Sequence, residues 1–257
     1  MRLKGRASPA ERRPMDLRPA FPLALAAAAL VCACVIVPTR LAPNAFGAQK
    51  TYAVVTIATN EEIAQGNKKL GEWLQGYNPA RDSRFLLEEV KPLLLERFAH
   101  SGHFRLLPER QVLGSNAYRA VPAGEPKFMG VGFHVPEGYR FFADKAAFSA
   151  LARDLGVDGV VFVNLDFDVR LHNASAFGQA NLIVDAFDRD GRVVWKDAVF
   201  AQSDHAIGHR NGTVIYEELR PLLIDATGQA ADAVIAKLDE KLGRGVAGLD
   251  WDAERLR

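Results

Sequence analysis

Two aspartates are the residues of this chain whose type and spacing come closest to acid–base chemistry. Asp166 and Asp168 alternate with apolar residues, and the two-residue period of a strand places both carboxylates on one face. Two such carboxylates could act as general acid and general base in a hydrolase. Arg170 follows on the same face and no second acidic pair is identifiable, so a solvated strand face is the preferred interpretation.

Two other groups of residues have the chemistry of metal ligands. His205 and His209 are spaced i, i+4, which could point two imidazoles at one ion, but no third ligand is evident. Asp188, Asp190 and Gly191 match part of a calcium loop, although a tight turn explains them better. The sequence therefore predicts a polar loop and a turn at these positions, with no metal and no cofactor.

Other signatures of catalysis are missing from the sequence. The chain contains no nucleophile elbow, phosphate-binding loop, dinucleotide fingerprint or metalloprotease helix. Its two cysteines, Cys32 and Cys34, lie in an apolar N-terminal stretch, which excludes cysteine catalysis and an intrachain disulfide in the body. A net charge of +1 with mixed signs gives no electrostatic case for nucleic acid. We predict a protein that is not an enzyme and does not bind nucleic acid.

The N-terminal segment, residues 1–48, has the pattern of an export signal. Six basic residues precede Pro19, and no charged residue occurs from there to Thr39. Within this run, Val31-Cys32-Ala33-Cys34 resembles the bacterial lipobox, whose last cysteine is diacylated and becomes the new N-terminus. Lipidation of Cys34 is the preferred interpretation, with translation starting at Met1 or Met15.

Three alternatives remain for this segment. The uncharged run of about 20 residues could stay in the membrane as an uncleaved anchor. Cleavage near Ala48, after Ala45-Phe46-Gly47, would release the body from the membrane. The run could also be a buried helix with two inert cysteines. Lipidation and the first two alternatives all place the body in the cell envelope, on the periplasmic side of an inner or outer membrane that the sequence does not identify.

The rest of the chain reads as strands alternating with helices and then a meander. The predicted elements are strand 52–59, a helix after Ser83, strand 104–107, a helix from Asp144 to Gly156, strand 160–172, a hairpin at Asp190-Gly191 and a helical region 213–242. Pro92 predicts a bend or a division in the first helix, and Pro221 predicts an interruption of the last. The order predicts a single α/β (α+β) domain over residues 49–243, with a mixed β-sheet of about five strands, helices mainly on one face, and a polar tail over 244–257.

Residues 108–142 are predicted to form a long loop rich in glycine, proline and aromatic residues. Loops of this length are uncommon in compact domains and are often functional. One interpretation is that the aromatic residues pin an insertion onto the core. The other is that they bind a partner, and the candidate partner-binding residues are then Tyr118, Phe128, Phe133 and Tyr139.

Four segments carry a resemblance to a known group of domains. They are residues 52–59, Phe104-Arg-Leu-Leu107, the helix end and strand at 152–161, and the hairpin at 185–195 with its aspartate, turn glycine and valine-tryptophan. In the order of its elements and in its local sequence pattern, the body resembles the α/β domain shared by the penicillin-binding-protein activator LpoB, the N-terminal domain of TolB and the periplasmic part of CsgG. The resemblance implies a non-enzymatic envelope lipoprotein that binds a protein partner.

The interval between Cys34 and Tyr52 limits the role that this resemblance implies. It contains about 17 residues, or roughly 55 Å when fully extended, which is short for an activator that reaches across the cell wall. The leading hypothesis is an exported, lipid-anchored binding or assembly factor for an envelope protein, with homo-oligomerisation left open. The alternatives are an envelope hydrolase that uses Asp166 and Asp168, and a structural subunit of an envelope complex.

Overall fold

The computed structural model describes residues 39–65, 81–122, 125–128, 131–142, 145 and 147–243. These residues form ten strand segments: β1 (Arg40–Leu41), β2 (Thr51–Asn60), β3 (Ala64–Gln65), β4 (Arg105–Leu106), β5 (Lys127–Phe128), β6 (Val131–His134), β7 (Gly159–His172), β8 (Ser175–Asp188), β9 (Val193–Gln202) and β10 (Ile207–Gly208). They also form five α-helices: α1 (Arg84–Ala99), α2 (Glu109–Gly114), α3 (Asn116–Ala120), α4 (Leu151–Asp154) and α5 (Tyr216–Gly243).

The strands form one mixed sheet in the order β1-β9-β8-β7-β2-β6-β5, which confirms the predicted fold class. The central strands β2 and β7 are parallel, whereas β7, β8 and β9 form an antiparallel meander. The sheet has more strands than the five predicted. The additional strands are segments of two to four residues at the edges and ends of four long strands. Such segments are too short to show the alternation of apolar and polar residues from which a strand is predicted.

The two long helices pack on one face of the sheet. α1 buries Leu87, Val90 and Leu94, the stripe predicted from its spacing, and α5 buries a stripe of mostly small residues over β8 and β9. On β7 the odd-numbered residues from Val161 to Val169 face these helices in the main core. Among the described residues, no helix combines the length and apolar character needed to cross a membrane.

The short helices cover part of the opposite face. α2, α3 and α4 pack through a second apolar cluster that includes Val55, Val160 and Phe162. This arrangement corrects the prediction of one long loop over 108–142, because α2, α3, β5 and β6 all lie within that segment. The Ser115 side chain accepts a hydrogen bond from the Ala117 backbone N–H at 3.2 Å and caps α3, a local signal that the many glycines and prolines obscured.

Three helix predictions differ from the structure in extent. α1 is one continuous element through Pro92, and the interruption predicted at Pro221 is wrong, because α5 continues through it. Each proline removes a single backbone hydrogen bond, and packing of the long helices against the sheet offsets that loss. The helix predicted from Asp144 is described only as a 3-10 turn, Ala147–Ala150, followed by α4, and Gly156 then closes α4 at φ +68° as predicted.

A close approach of α5 to β8 makes Gly178 a sensitive position. A Cβ atom added there would lie 2.6 Å from the backbone carbon of Leu222 and 2.7 Å from its oxygen, so one element would have to move. We expect Gly178→Ala to lower the free energy of unfolding by about 2 kcal/mol or more, measured by urea denaturation. Gly228→Ala is the matched control on α5, where the new methyl would meet Leu93 at 3.7 Å. It should stabilise the helix by about 0.5–1 kcal/mol, and equal effects of the two substitutions would contradict the packing described.

Candidate functional site

The residues just before the predicted domain boundary are part of the fold. β1 pairs with the edge strand β9, with Arg40 opposite Lys196 and Leu41 opposite Trp195. The Ala42 backbone N–H then donates to the Val194 carbonyl at 2.8 Å. The folded body therefore includes Arg40 and Leu41, which precede residue 49, the predicted start of the domain.

Phe46 completes an aromatic cluster in the main core. Its ring stacks on Tyr52 with centroids 5.7 Å apart and meets the ring of Trp195 edge-on at 6.2 Å. The Tyr52 hydroxyl donates to the Ala45 carbonyl at 2.9 Å, and burial raises the pKa of this phenol. Trp195 itself is fully buried. Residues 40–46 thus supply core packing that a chain cleaved near Ala48 would lack.

The predicted lipidation site, Cys34, lies outside the described residues. Five residues separate it from Arg40. At full extension this spacer reaches only about 20 Å, far less than the roughly 55 Å that would be available if the folded body began at Tyr52.

Two of the four candidate partner-binding aromatics are core residues. Tyr118 is 1% exposed; its hydroxyl donates to the Val55 carbonyl and accepts from the Arg140 backbone N–H, both at 2.8 Å. Burial raises the pKa of Tyr118 to about 12. Tyr139 is 6% exposed, and burial together with the nearby Glu109 carboxyl raises its pKa. Burial removes both tyrosines as direct partner contacts and agrees with the interpretation that they pin the segment to the core.

The other two aromatic candidates have different positions. Phe133 is half-buried on β6 and stacks on Phe141 with centroids 5.0 Å apart. Phe128 lies on β5, and its side chain is outside the described set. A role of these two residues in partner binding stays a prediction.

The aspartate pair lies where β7 extends beyond its pairing with β2. Burial raises the pKa of Asp166, and a hydrogen bond from the Asn60 backbone lowers it by a smaller amount. Asp168 accepts a hydrogen bond from the Val169 backbone N–H at 2.7 Å. Both residues are half-buried on the same side of the strand, as their spacing predicted.

The two groups with the chemistry of metal ligands form a loop and a turn. The His209 imidazole contacts the Asn173 carbonyl at 2.9 Å. Asp188 accepts hydrogen bonds from the backbone N–H groups of Asp190 and Arg192, both at 2.9 Å, and Gly191 has φ +80°. Within the part of the chain that the structure describes, no group of three or more His, Cys, Asp and Glu side chains could hold a metal ion.

The fold also forms an acid–imidazole pair that the sequence did not reveal. Asp82 and His134 lie 3.2 Å apart at the carboxyl end of β2. They are distant in sequence and belong to different elements, so no spacing rule joins them. The Ser83 hydroxyl, next to Asp82 in the chain, donates to the Asn60 carbonyl at 2.5 Å.

A shallow cleft of about 560 Å³ lies where α1 and α5 begin. We call it the helix-end cleft; it is lined by Phe85, Glu88, Glu89, Tyr216 and Arg220. Phe85 is 75% exposed, and Ile215, which precedes α5, is 57% exposed. Arg220 holds the two helices together through both oxygens of Glu89, at 2.5 and 2.7 Å. The cleft therefore presents apolar side chains beside an exposed ion pair.

Replacement of Asp166 by asparagine tests whether its carboxylate supports the fold. Because the folded-state pKa lies above the ordinary 3.8, the stability from Asp166 is present below that pH and is lost as pH rises through the raised pKa. Asp166→Asn should be at least as stable as the wild type at pH 7. It should also lack the fall in the free energy of unfolding that Asp166 causes as pH rises. Urea denaturation from pH 3 to 7 measures both. The control is Asp154→Asn at an exposed carboxyl. A loss of more than about 1 kcal/mol at pH 7 would identify the carboxylate as a structural acceptor.

Comparisons with known proteins give weak similarities. No protein-family model matches the chain, and no curated protein is significantly similar. Lipoprotein GNA1162 from Neisseria meningitidis is similar at 13% identity and a TM-score of 0.36, over 74% of this chain and 99% of that one. The hypothetical protein CT253 from Chlamydia trachomatis has 12% identity and a TM-score of 0.36, over 76% and 96%. The LpoB C-terminal domain from Salmonella enterica has 12% identity and a TM-score of 0.31, over 60% and 83%. At these scores the similarities carry no argument about function.

Proposed function

We propose that this protein is an exported, non-enzymatic lipoprotein, anchored through Cys34, that acts as a binding or assembly factor at the periplasmic side of a membrane. The observation that carries the proposal is the docking of residues 40–46. Five residues separate the lipobox-like cysteine from β1, and the Phe46 cluster follows β1. This short interval fits a body that lies close behind a lipid anchor.

The short spacer determines where such a protein can act. With a reach of about 20 Å, less than the diameter of a small domain, the body stays against the membrane that holds the lipid. The partner then belongs to the same membrane surface, as an integral protein or one bound beside it. This differs from an activator that crosses the cell wall on a long tether.

The helix-end cleft is the proposed contact for that partner. Phe85 and Ile215 expose apolar area that the fold does not use, and the Glu89–Arg220 ion pair lies beside them. An apolar side chain of a protein partner, flanked by charged residues, matches such a surface. Phe133 is a second candidate contact on β6.

An envelope hydrolase is the second candidate function, and one observation favours it. Burial raises the pKa of Asp166, which contacts the backbone of Asn60 near the Asp82–His134 pair. A raised carboxyl pKa is a property of general acids. The double variant Asp166→Asn/Asp168→Asn separates the two functions, because it should retain the function of a binding factor and abolish that of an enzyme.

Incorporation of labelled palmitate tests the proposed function. The wild type, expressed in a Gram-negative bacterium, should take up label and sediment with membranes. Cys34→Ala should take up none, because only the cysteine that ends the lipobox is diacylated. The control Cys32→Ala restores a more usual lipobox residue and should label at least as well as the wild type. A wild type without label would show that the lipoprotein assignment is wrong.

A further inference from the structure

The sheet edge formed by β1 and β9 carries basic side chains on both of its faces. On the face of the short helices, the Asp185 carboxylate contacts the Lys145 ammonium and lies 3.5 Å from that of Lys196. Arg40 lies directly opposite Lys196 in the β1–β9 pairing and is exposed. Two ammonium groups therefore contact one carboxylate, and the exposed Arg40 adds a third cation on the neighbouring strand.

The same arrangement recurs on the face covered by the long helices. The fully buried Asp197 carboxylate lies 2.5 Å from the Lys241 ammonium and 3.6 Å from that of Lys237, both on the last turns of α5. The two lysine side chains are 31% and 45% exposed, so their ammonium groups also reach solvent. Glu240 lies at the same end of α5.

These side chains give the edge a positive excess. We call Arg40, Lys145, Lys196, Lys237 and Lys241 the basic edge. Asp185 and Asp197 neutralise two of its five charges, and Glu240 can neutralise one more. Asp239 at the same end of α5 offsets a fourth charge, so the excess lies on the face of the short helices, where Asp185 neutralises only one of the charges of Arg40, Lys145 and Lys196.

The first residues that the structure describes, Thr39 and Arg40, lie at the basic edge. Because β1 is antiparallel to β9, the chain reaches Arg40 from the side of Ala198 and Phe200. Phe200 is 58% exposed on β9. A lipid on Cys34 is at most about 20 Å from Arg40, so the membrane surface lies within reach of the basic edge and of this exposed ring.

From this placement we infer that the basic edge, together with Phe200, is the surface that rests on the membrane, where it binds the anionic headgroups of phospholipids. The inference depends on the proposed lipid anchor and adds an orientation to it. Each basic residue near an anionic membrane raises the ratio of membrane-bound to free protein roughly fivefold. The helix-end cleft lies at the other end of α5, since Arg220 and Lys237 are about 25 Å apart along the helix.

Spin-label accessibility of the full-length lipidated chain tests the orientation. The body has no native cysteine, so Phe200→Cys and Phe85→Cys, each with Cys32→Ala, place one nitroxide at the basic edge or at the helix-end cleft. The proteins are reconstituted in vesicles of phosphatidylcholine with about one quarter phosphatidylglycerol. We expect collisions with a water-soluble nickel chelate to be several-fold fewer at residue 200 than at residue 85. About 1 M salt, where the screening length is only about 3 Å, should remove most of this difference.

A charge variant and a matched control separate lipid contact from other roles of edge lysines. Arg40→Gln/Lys196→Gln/Lys237→Gln should lose the protection at residue 200, while Lys145 and Lys241 remain to neutralise the two carboxylates. Arg84→Gln/Arg97→Gln/Arg153→Gln removes three exposed cations elsewhere and should keep the protection. Lysines on an edge strand also discourage the sheet edge of one copy of the protein from pairing with that of another. Aggregation of the first variant with unchanged protection at residue 200 would assign them that role instead and overturn the inference.

The outcomes also distinguish this inference from the proposed function. A wild-type chain that leaves the vesicles on washing overturns the lipid anchor and, with it, the orientation. A chain that stays with the vesicles but shows equal collisions at residues 200 and 85 overturns the orientation alone. Protection that persists in pure phosphatidylcholine would show that anionic headgroups are not what the edge binds.

Discussion

A chain that begins at Gln49, as cleavage near Ala48 would leave it, is expected to be about 3–5 kcal/mol less stable than a chain that begins at Thr39. The shorter chain loses Phe46 from the aromatic cluster and β1 from the edge of the sheet. It also leaves the Tyr52 hydroxyl without the Ala45 carbonyl that accepts its hydrogen bond. Urea denaturation followed by tryptophan fluorescence measures the difference in the free energy of unfolding.

Phe46→Ala in the longer chain is the control for this truncation. The Phe46 ring is only half-buried, so we expect its removal to account for about half of the loss. The loss of β1 and of the hydrogen bond to Tyr52 accounts for the rest. Equal stability of the two truncated chains would mean that residues 40–46 do not belong to the folded body, and the case against cleavage near Ala48 would disappear.

Removal of both lysines that face Asp197 is the second change with a large expected effect. Asp197 is fully buried, and Lys237 and Lys241 are the cations beside it. Lys237→Met/Lys241→Met would leave a buried carboxylate without a neutralising partner, and breaking a buried pair in this way costs about 3–5 kcal/mol. The free energy of unfolding at pH 7 and low salt gives the measurement.

Two further variants test the cause of that effect. Lys237→Met alone should cost about 1 kcal/mol or less, because Lys241 remains 2.5 Å from the carboxylate. Addition of Asp197→Asn to the double variant should recover most of the stability, because it removes the charge that the lysines neutralise. A triple variant no more stable than the double would show that the methylene stems of the lysines, and not their charges, support this part of the fold.

Much of the architecture was predictable because long helices and strands repeat apolar residues at a regular spacing. The alternation along β7, the Asp190-Gly191 turn and the apolar stripes of α1 and α5 each depend on contacts within one element. The two prolines misled the prediction, because the cost of a lost hydrogen bond is local whereas the packing that offsets it comes from distant strands.

The candidate sites were less predictable, because they depend on pairings between distant residues. The docking of residues 40–46 depends on Trp195 and Val194, and nothing in the local sequence indicates a strand of two residues there. The Asp82–His134 pair is assembled from two elements in the same way. The burial of Tyr118 depends on distant residues and has no local signal, so a core residue was counted as a candidate partner contact.

The central claim is that the mature chain starts at a lipid-modified Cys34 just ahead of β1. Mass spectrometry of the N-terminal peptide, from protein purified out of the membrane fraction, tests it most directly. We predict a peptide that begins at Cys34 and carries a diacylglyceryl group on its sulfur. A mature chain that begins near Gln49, or one that retains the unmodified leader, would contradict the account.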